Sequence, residues 1–321
     1  MPLSRLTVLH DGTLPSNLER IEELADVRLA TAAELPATLA GAEILLAWDF
    51  LTPALAAAWD SADRLRWVHT ASAGVDNVLI PPMVDSDVAL TNSRGVFDGA
   101  IAEYVLGLML MFAKDTMGTW RRQTRREWEH RDTERLAGRT ALVVGVGPIG
   151  RAIARLLGAA GVRVSGAGRT ARSGDPDFGD VAASSDLTEL VTGADYVVLV
   201  APLTKETRGM IDASVLGAMK PSARLINVGR GELVVEPDLV AALRERRIAG
   251  AALDVFETEP LPPESPLWEL PEVFVSPHMS ADTVGWRDAL AELFLDNLRR
   301  WRADEPLRNL VDKTVGYVRD G

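Results

Sequence analysis

Three charged side chains stand directly after apolar, strand-like runs in the second half of the 321-residue chain: Arg230, Glu259 and His278. Of the four histidines, only His278 follows a late apolar run and a proline. An imidazole can exchange a proton near neutral pH, a carboxylate can orient that ring, and a guanidinium is an always-charged planar donor. These residue types predict proton transfer on a small anionic ligand.

A second chemical motif has the form G-x-G-x-x-G and comprises Gly145, Val146, Gly147, Pro148, Ile149 and Gly150. It follows an apolar run and precedes a helix-compatible stretch, which is the context of a dinucleotide-binding turn. We expect Gly145 to allow the tight turn, Gly147 to let the backbone approach a pyrophosphate, and Gly150 to let helix and strand pack closely. The free amides at the helix N-terminus would then bind the phosphates.

The next strand-like run ends where an NAD-selective site would carry a carboxylate, about 20 residues after the motif. Gly168 stands there instead, followed by Arg169 and Thr170. A guanidinium beside a hydroxyl suits a 2′-phosphate, and a missing carboxylate removes the repulsion that would exclude it. The sequence therefore predicts a preference for NADP(H). The alternative is that Arg169 is solvated and NAD(H) is used as well.

The elements that must position these residues follow an α/β order. Short apolar runs alternate with helix-compatible stretches before residue 95, and six further runs follow residue 140. Such an order is typical of parallel sheets covered by helices. Between these two groups of runs we expect an apolar helix over 98–114 and a charged helix over 120–135. A last helix is expected after them, over 282–302.

The first and last segments are each too short to form an independent domain. We therefore expect the C-terminal helix to fold back onto the N-terminal sheet. The predicted fold class is α/β, with two doubly wound parallel-sheet domains. A Rossmann dinucleotide-binding domain of residues 96–285 is inserted in a smaller, discontinuous, flavodoxin-like substrate domain of residues 1–95 plus 286–321.

The chain resembles the D-isomer-specific 2-hydroxyacid dehydrogenase family nearly from end to end. The motifs that carry the resemblance are AGVDN at 73–77, AEY at 102–104, the glycine-rich loop, PLT at 202–204 with Thr207, Arg230-Gly231, LDVF at 253–256, Glu259-Pro260 and Pro277-His278. The formate-oxidising branch of the same fold carries glutamine where Glu259 stands. The chain is therefore more similar to members of the glyoxylate/hydroxypyruvate reductase type.

The resemblance implies a role for each catalytic residue. Arg230 would hold the substrate carboxylate and polarise its carbonyl oxygen. His278 would protonate that oxygen as hydride reaches the carbon, and would act as the base in the reverse direction. Glu259 would orient the imidazole and favour its charged form; Glu257 is the alternative partner.

The resemblance also implies binding residues. The amides around Ala73 and Gly74 would receive the substrate carboxylate. Asp254 matches the family position that binds the nicotinamide carboxamide, although this side chain could instead cap a turn. The remaining cofactor contacts implied are Ala201, Pro202, Thr207, Val228 and Gly229.

These features together predict an oxidoreductase that transfers hydride between NADP(H), or NAD(H), and a small 2-keto or D-2-hydroxy acid. A dinucleotide-sensing, corepressor-like binding protein of the same fold is the alternative. The intact set of Arg230, Glu259 and His278 favours the enzyme.

Composition limits the partners and the location. The net charge of −12 disfavours nucleic acid and anionic membranes. No cysteine is present to form a disulfide or ligate a metal, and we expect no metal cofactor. No apolar stretch approaches the roughly 20 residues of a membrane span, so we expect a cytoplasmic protein. We also expect a homodimer, because residues 98–114 and 120–128 need more cover than one subunit provides.

Overall fold

The computed structural model describes residues 3–319 as alternating strands and helices. In chain order the strands are β1 Arg5–Leu9, β2 Asp26–Ala30, β3 Ile44–Ala47, β4 Trp67–Thr70, β5 Ala89–Thr91, β6 Thr140–Val144, β7 Arg163–Gly168, β8 Arg172–Asp175, β9 Gly179–Ala183, β10 Tyr196–Leu199, β11 Arg224–Asn227, β12 Gly250–Leu253 and β13 Val273–Val275. The α-helices are α1 Leu18–Glu22, α2 Leu35–Leu39, α3 Ala54–Ala58, α4 Pro81–Val84, α5 Asp98–Ala113, α6 Thr116–Arg125, α7 Pro148–Ala159, α8 Leu187–Leu190, α9 Ala213–Ala218, α10 Glu236–Arg244 and α11 Trp286–Ala303.

The chain divides into two compact units. The first takes in the chain up to Phe97 and again from Thr283, and the second runs from Asp98 to Asp282. The assignment of substrate binding to the first unit and of dinucleotide binding to the second stays a prediction.

The first unit is built on a five-stranded sheet of order β2-β1-β3-β4-β5, with every pair parallel. This is the flavodoxin-like strand order. The central strands β3 and β4 are buried at every residue, because helices cover both faces of such a sheet. Strand β2 was not predicted from the sequence, since it is an edge strand with three exposed residues.

The C-terminal helix α11 packs on this N-terminal sheet, as expected. The ring of Trp67 on β4 stacks on Phe294 of α11, with the centroids 5.4 Å apart, and on Trp301 at 5.6 Å. The first unit is therefore discontinuous in sequence.

The second unit contains an eight-stranded sheet of order β13-β12-β11-β10-β6-β7-β9-β8. The six predicted strands are present and parallel, and the predicted fold class is confirmed. Two further strands were missed. β9 extends the parallel sheet beside β7, and β8 returns antiparallel to it at the edge. Their glycine, serine and aspartate residues are mostly exposed and give no apolar pattern.

Three helix boundaries differ from the sequence prediction by four residues or more, and the first is the start of α6 at Thr116 and not at residue 120. The charged helix α6 ends at Arg125 and not at residue 135, because Arg126 adopts the left-handed conformation with φ of 56°. The last helix begins at Trp286 and not at residue 282, since Gly285 has φ of 85°. An ion pair of Arg122 with Glu129 joins the segment after α6 to the helix.

The apolar helix α5 is present as predicted but is not buried all round. Ile101, Val105 and Met109 lie inside, whereas the side chain of Leu110 is 40% exposed. Within residues 3–319, no helix combines the length and the apolar character that crossing a bilayer would require.

Candidate active site

The glycine-rich loop connects β6 to α7, and two of its glycines lie very close to neighbouring backbone atoms. Gly145 has φ of 112°, and a Cβ there would lie 2.6–2.8 Å from the backbone of Val200 and Ala201. A Cβ on Gly150 would lie 1.9 Å from the carbonyl oxygen of Gly145. A Cβ on Gly147 would meet no described atom within 4 Å. The first and third glycines are therefore required by packing inside the protein, whereas the second leaves open backbone.

Helix α7 begins with Pro148, and no side chain caps the helix at Gly147. Pro148 has no N–H and fits the first helical position. The remaining amides of the first turn have no helical acceptor and carry the positive end of the helix dipole. This helix end can bind an anion such as a pyrophosphate.

The ends of β10 and β11 lie beside this loop. A Cβ on Gly229 would lie 3.2 Å from the carbonyl oxygen of Ala201, and Val228 donates its N–H to Leu199. The hydroxyl of Thr207 donates to the carbonyl oxygen of Pro202 at 2.7 Å. Ala201, Val228 and Gly229 thus lie at the carboxyl edge near Gly145, and the Thr207 hydroxyl closes the loop that begins at Pro202.

Gly168 ends β7 and packs against the glycine-rich loop. A Cβ there would lie 2.8 Å from Cγ2 of Val146, so packing alone favours glycine at this position. Arg169 and Thr170 follow and are exposed. A hydrogen bond from Thr204 lowers the pKa of Glu206, and the nearby positive charge of Arg169 adds to this shift.

The imidazole of His278 lies against the carboxylate of Glu259. Nδ1 of His278 is 2.7 Å from Oε2 of Glu259, and Oε1 accepts the backbone N–H of Phe256 at 3.0 Å. Both side chains are about one-third exposed. Burial raises the pKa of Glu259, but the hydrogen bonds from His278 and Phe256 outweigh it and the pKa is lowered overall. Glu259 is therefore a carboxylate at neutral pH.

Arg230 lies close enough to Glu259 for its charge to contribute to that lowered pKa. Its position follows from Gly231, where a Cβ would lie 1.8 Å from the carbonyl carbon of Phe256. Only glycine permits this approach between the loop after β11 and the loop after β12. Asn227 supports the turn by donating to the carbonyl oxygen of Arg230 at 2.9 Å.

Glu257, the alternative partner, lies elsewhere. Its carboxylate accepts the backbone N–H of Glu236 at 3.0 Å, and its own N–H donates to the Glu236 side chain at 2.7 Å. The geometry pairs His278 with Glu259.

Asp254 caps the loop that carries His278. Its carboxylate accepts the Ser276 hydroxyl at 2.6 Å and the backbone N–H groups of Met279 at 3.0 Å and Ser280 at 2.8 Å. The residue is only 1% exposed. His278 has φ of 53°, a left-handed conformation that is costly for a non-glycine residue. The buried carboxylate compensates by satisfying the N–H groups that follow, which is the turn-capping role left open by the sequence.

In the first unit, the loop of Ala73 and Gly74 is fixed through its carbonyl groups. Asn92 donates to the carbonyl oxygen of Ala73 at 2.7 Å, and the Ser72 hydroxyl donates to that of Gly74 at 2.6 Å. Neither amide of Ala73 or Gly74 has an acceptor within residues 3–319. The loop can therefore offer backbone N–H groups to a carboxylate.

Several residues of these sites were missed from the sequence. Gly231 stood inside the Arg230-Gly231 motif, but the roles of Gly231 and Asn92 depend on contacts between segments distant in sequence. Asp175 binds Arg151 and Arg172 beside the glycine-rich loop. An aspartate in a glycine-rich polar stretch gave no signal that it would be buried.

The chain is similar in sequence to proteins of one dehydrogenase family. Residues 106–280 match the model of the D-isomer specific 2-hydroxyacid dehydrogenase NAD binding domain. The chain is 38% identical over 271 residues to a glyoxylate reductase of Thermococcus onnurineus, covering 81% of this chain and 80% of that protein. It is 34% identical over 251 residues to a hydroxyphenylpyruvate reductase of Plectranthus scutellarioides, covering 77% and 79%.

Among solved structures, the fold is similar to an NADPH-dependent glyoxylate/hydroxypyruvate reductase of Sinorhizobium meliloti in complex with NADP and malonate. The TM-score is 0.84 at 31% identity, with both chains covered completely. The strand order, the glycine-rich loop and these likenesses lead to one conclusion. The chain belongs to the D-isomer specific 2-hydroxyacid dehydrogenase family and is an NAD(P)-dependent dehydrogenase.

Proposed function

We propose that the protein reduces a small 2-keto acid to the D-2-hydroxy acid with NADP(H) as the preferred cofactor. The observation that carries the catalytic part is the 2.7 Å contact between His278 and Glu259, with the Arg230 charge beside it. A proton donor, an ionised partner and a fixed cation together suit reduction of a carbonyl group next to a carboxylate.

In this proposal His278 donates a proton to the carbonyl oxygen. Because Nδ1 is bonded to Glu259, the other ring nitrogen, Nε2, is the one left to face the substrate. Glu259 stabilises the imidazolium before transfer, and Arg230 holds the substrate carboxylate and the developing oxyanion. When bound, the reduced nicotinamide supplies the hydride. A keto acid, NADPH and a proton thus give a hydroxy acid and NADP⁺.

The residues around the glycine-rich loop fit a dinucleotide. We assign the pyrophosphate to the backbone N–H groups of Gly147, Ile149 and Gly150 at the start of α7, because open backbone and free N–H groups occur together there. Arg169 and Thr170 would meet the 2′-phosphate. The bound NADP in the Sinorhizobium meliloti structure is consistent with this preference.

The remaining binding residues follow the same proposal. Ala73 and Gly74 offer amides to the substrate carboxylate. Ala201, Pro202, Thr207, Val228, Gly229 and Asp254 are proposed to contact the nicotinamide half of the cofactor. For Asp254 the contact would use whatever acceptor capacity the turn-capping hydrogen bonds leave, so its structural role is the better supported of the two.

The test is cofactor oxidation by the purified protein, with glyoxylate, hydroxypyruvate and phenyl-substituted pyruvates each assayed against NADPH and NADH. We expect reduction of at least one acid, with higher kcat/KM for NADPH. Tight dinucleotide binding without turnover of any acid would favour the corepressor-like alternative, for which no residue of the site gives specific support.

We also propose a homodimer. Trp120 is 63% exposed and Trp128 is fully exposed, and Leu110 of α5 adds a third apolar side chain to this part of the second unit. Exposed aromatic side chains are typical of interfaces. Light scattering at micromolar concentration should give twice the chain mass, and a Trp128→Ser variant should weaken the association. A monomeric wild type would contradict the proposal.

A further inference from the structure

A buried aspartate joins two arginines at the edge of the second unit's sheet. The side chain of Asp175 on β8 is 1% exposed. Arg151 of α7 binds it with both terminal nitrogens, at 2.9 and 2.8 Å. Arg172 binds the Oδ2 atom with Nε at 3.2 Å and with Nη2 at 2.8 Å. One carboxylate therefore fixes two guanidinium groups.

The hairpin of β8 and β9 aims Arg172 at the end of β7. Val181 of β9 pairs with Gly166 of β7 on one side and with Arg172 of β8 on the other. As a result, Nη1 of Arg172 lies 3.7 Å from where a Cβ on Gly168 would be. In an NAD-selective site a carboxylate for the ribose hydroxyls would occupy this position. In this protein the Arg172 guanidinium lies beside that position instead.

The hydrogen bonds of Arg172 leave one nitrogen for a ligand. Asp175 takes Nε and Nη2, and across residues 3–319 no acceptor is bonded to Nη1. The Arg172 side chain as a whole is 39% exposed. Arg169, by contrast, is exposed on the loop and lies near the Glu206 carboxylate.

We propose that Asp175 is a positioning residue: it holds Arg172 at the end of β7, where this guanidinium would bind the 2′-phosphate of NADP(H). The inference rests on the proposed use of NADP(H). A guanidinium held in place before binding loses less rotamer freedom when the phosphate arrives. Planar N–H groups also match phosphate oxygens well.

Charge supports the assignment. Hydrogen bonds from Arg151 lower the pKa of Asp175 against the opposing effect of burial, so the aspartate stays anionic. With Asp177 and Arg155 the cluster contains three cations and two anions, which leaves it net positive beside a dianionic phosphate.

Asp177 supplies a matched control. Its carboxylate binds Arg151 at 2.9 Å and Arg155 at 3.1 Å but is not bonded to Arg172. A substitution at Asp177 therefore removes an ion pair of the same cluster and leaves the orientation of Arg172 intact. A general loss of stability would affect both aspartate variants alike.

The experiment measures dissociation constants of NADP⁺ and NAD⁺ by titration calorimetry without substrate. The wild type is compared with Arg172→Gln, Asp175→Asn, Asp177→Asn and the double variant of Arg172→Gln with Asp175→Asn. We expect Arg172→Gln to weaken NADP⁺ binding by about 10- to 150-fold, the range for a charge-assisted hydrogen bond. Asp175→Asn should weaken NADP⁺ binding by about 2- to 10-fold, the cost of ordering one long side chain. NAD⁺ binding should not change.

The double variant decides whether the two residues act together. If Asp175 acts through Arg172, removing both should weaken NADP⁺ binding no more than removing Arg172 alone. The Asp177→Asn variant should keep the wild-type ratio of the two dissociation constants. Equal losses for NADP⁺ and NAD⁺ in Asp175→Asn, or an unchanged ratio in Arg172→Gln, would overturn the inference.

The wild-type titration separates the two proposals. A wild type without preference for NADP⁺ would refute the proposed cofactor choice and this inference together, whereas a preference that survives in the variants would refute the inference alone. If Asp175→Asn does not fold, Arg172→Lys replaces it. Lysine keeps the charge but cannot form the two bonds to Asp175, so full NADP⁺ preference in that variant would show that orientation is not required.

Discussion

Two histidines stand at the carboxyl ends of the two sheets, and their surroundings differ completely. His69 on β4 is fully buried, with Nδ1 2.7 Å from the Thr91 hydroxyl and Nε2 3.4 Å from that of Ser93. His278 is about one-third exposed and lies against Glu259. Burial lowers the pKa of His69 to about 3, so this ring stays neutral at physiological pH. Of these two histidines, only His278 combines a neighbouring carboxylate with solvent access, the surroundings that suit proton transfer to a ligand.

The buried histidine belongs to the packing of the first unit. Its ring contacts Phe294 of α11, and the Thr91 hydroxyl that pairs with it also accepts the indole N–H of Trp67 at 2.8 Å. Ser93 links the ring to the carbonyl oxygen of Thr70 at 3.1 Å. This network stabilises the strand ends before the loop of Ala73 and Gly74, and it contains no group that could exchange a proton with a ligand.

The largest expected effect is a difference in kcat between variants of the two histidines. His278→Ala should lower kcat by about 10²- to 10⁴-fold, the usual contribution of a positioned acid–base group. His69→Asn should leave kcat close to the wild-type value, because the buried ring takes no part in proton transfer. Steady-state kinetics with the best keto acid and NADPH measures both, and NADP⁺ titration serves as the control for folding. Wild-type turnover in His278→Ala would refute the role assigned to that residue.

The second expected effect concerns the carboxylate that distinguishes the two sites. Glu259→Gln should reduce kcat/KM by about 10- to 150-fold, because a hydrogen bond to a charged group is worth about 1.5–3 kcal/mol. Glu257→Gln is the matched control, since that side chain binds the backbone of Glu236 instead. Equal losses in both variants would mean that the two carboxylates act through the stability of the loop and not through His278.

The smallest expected effect is a pH dependence of stability at the buried histidine. The pKa of His69 falls from 6.5 in its ordinary state to about 3 in the fold. Between these values the unfolded chain binds a proton that the folded chain excludes. The contribution of the neutral His69 ring to the free energy of unfolding is therefore complete above pH 6.5. It is lost as the pH falls below that value, by about 1.4 kcal/mol per pH unit.

Urea unfolding followed through the fluorescence of the tryptophans should show this slope between pH 6.5 and 5. His69→Asn removes the titrating ring, so its free energy of unfolding should depend less on pH over the same interval. An identical slope in the variant would indicate that His69 is not the group responsible.

Much of this protein could be predicted from its residues alone. The apolar runs fixed the α/β class and six of the eight strands of the larger sheet, because buried parallel strands are apolar at nearly every position. The edge strands β2, β8 and β9 were missed, since their exposed polar residues carry no such pattern. The glycine-rich loop, Arg230, Glu259 and His278 stood out because their residue types follow strand ends that must meet at one edge of a parallel sheet.

What the tertiary structure alone decided is how those groups are held. The pairing of His278 with Glu259 over Glu257, and the capping of the histidine loop by Asp254, depend on contacts between separate strand ends. The same holds for Gly168. From the sequence this residue indicated only a missing carboxylate, whereas in the structure it packs against Val146 and lies close to the Arg172 guanidinium. A sequence gives the chemical type of a side chain and the strand that carries it. Its burial, its partner and its orientation arise only when segments far apart in the chain come within hydrogen-bond distance.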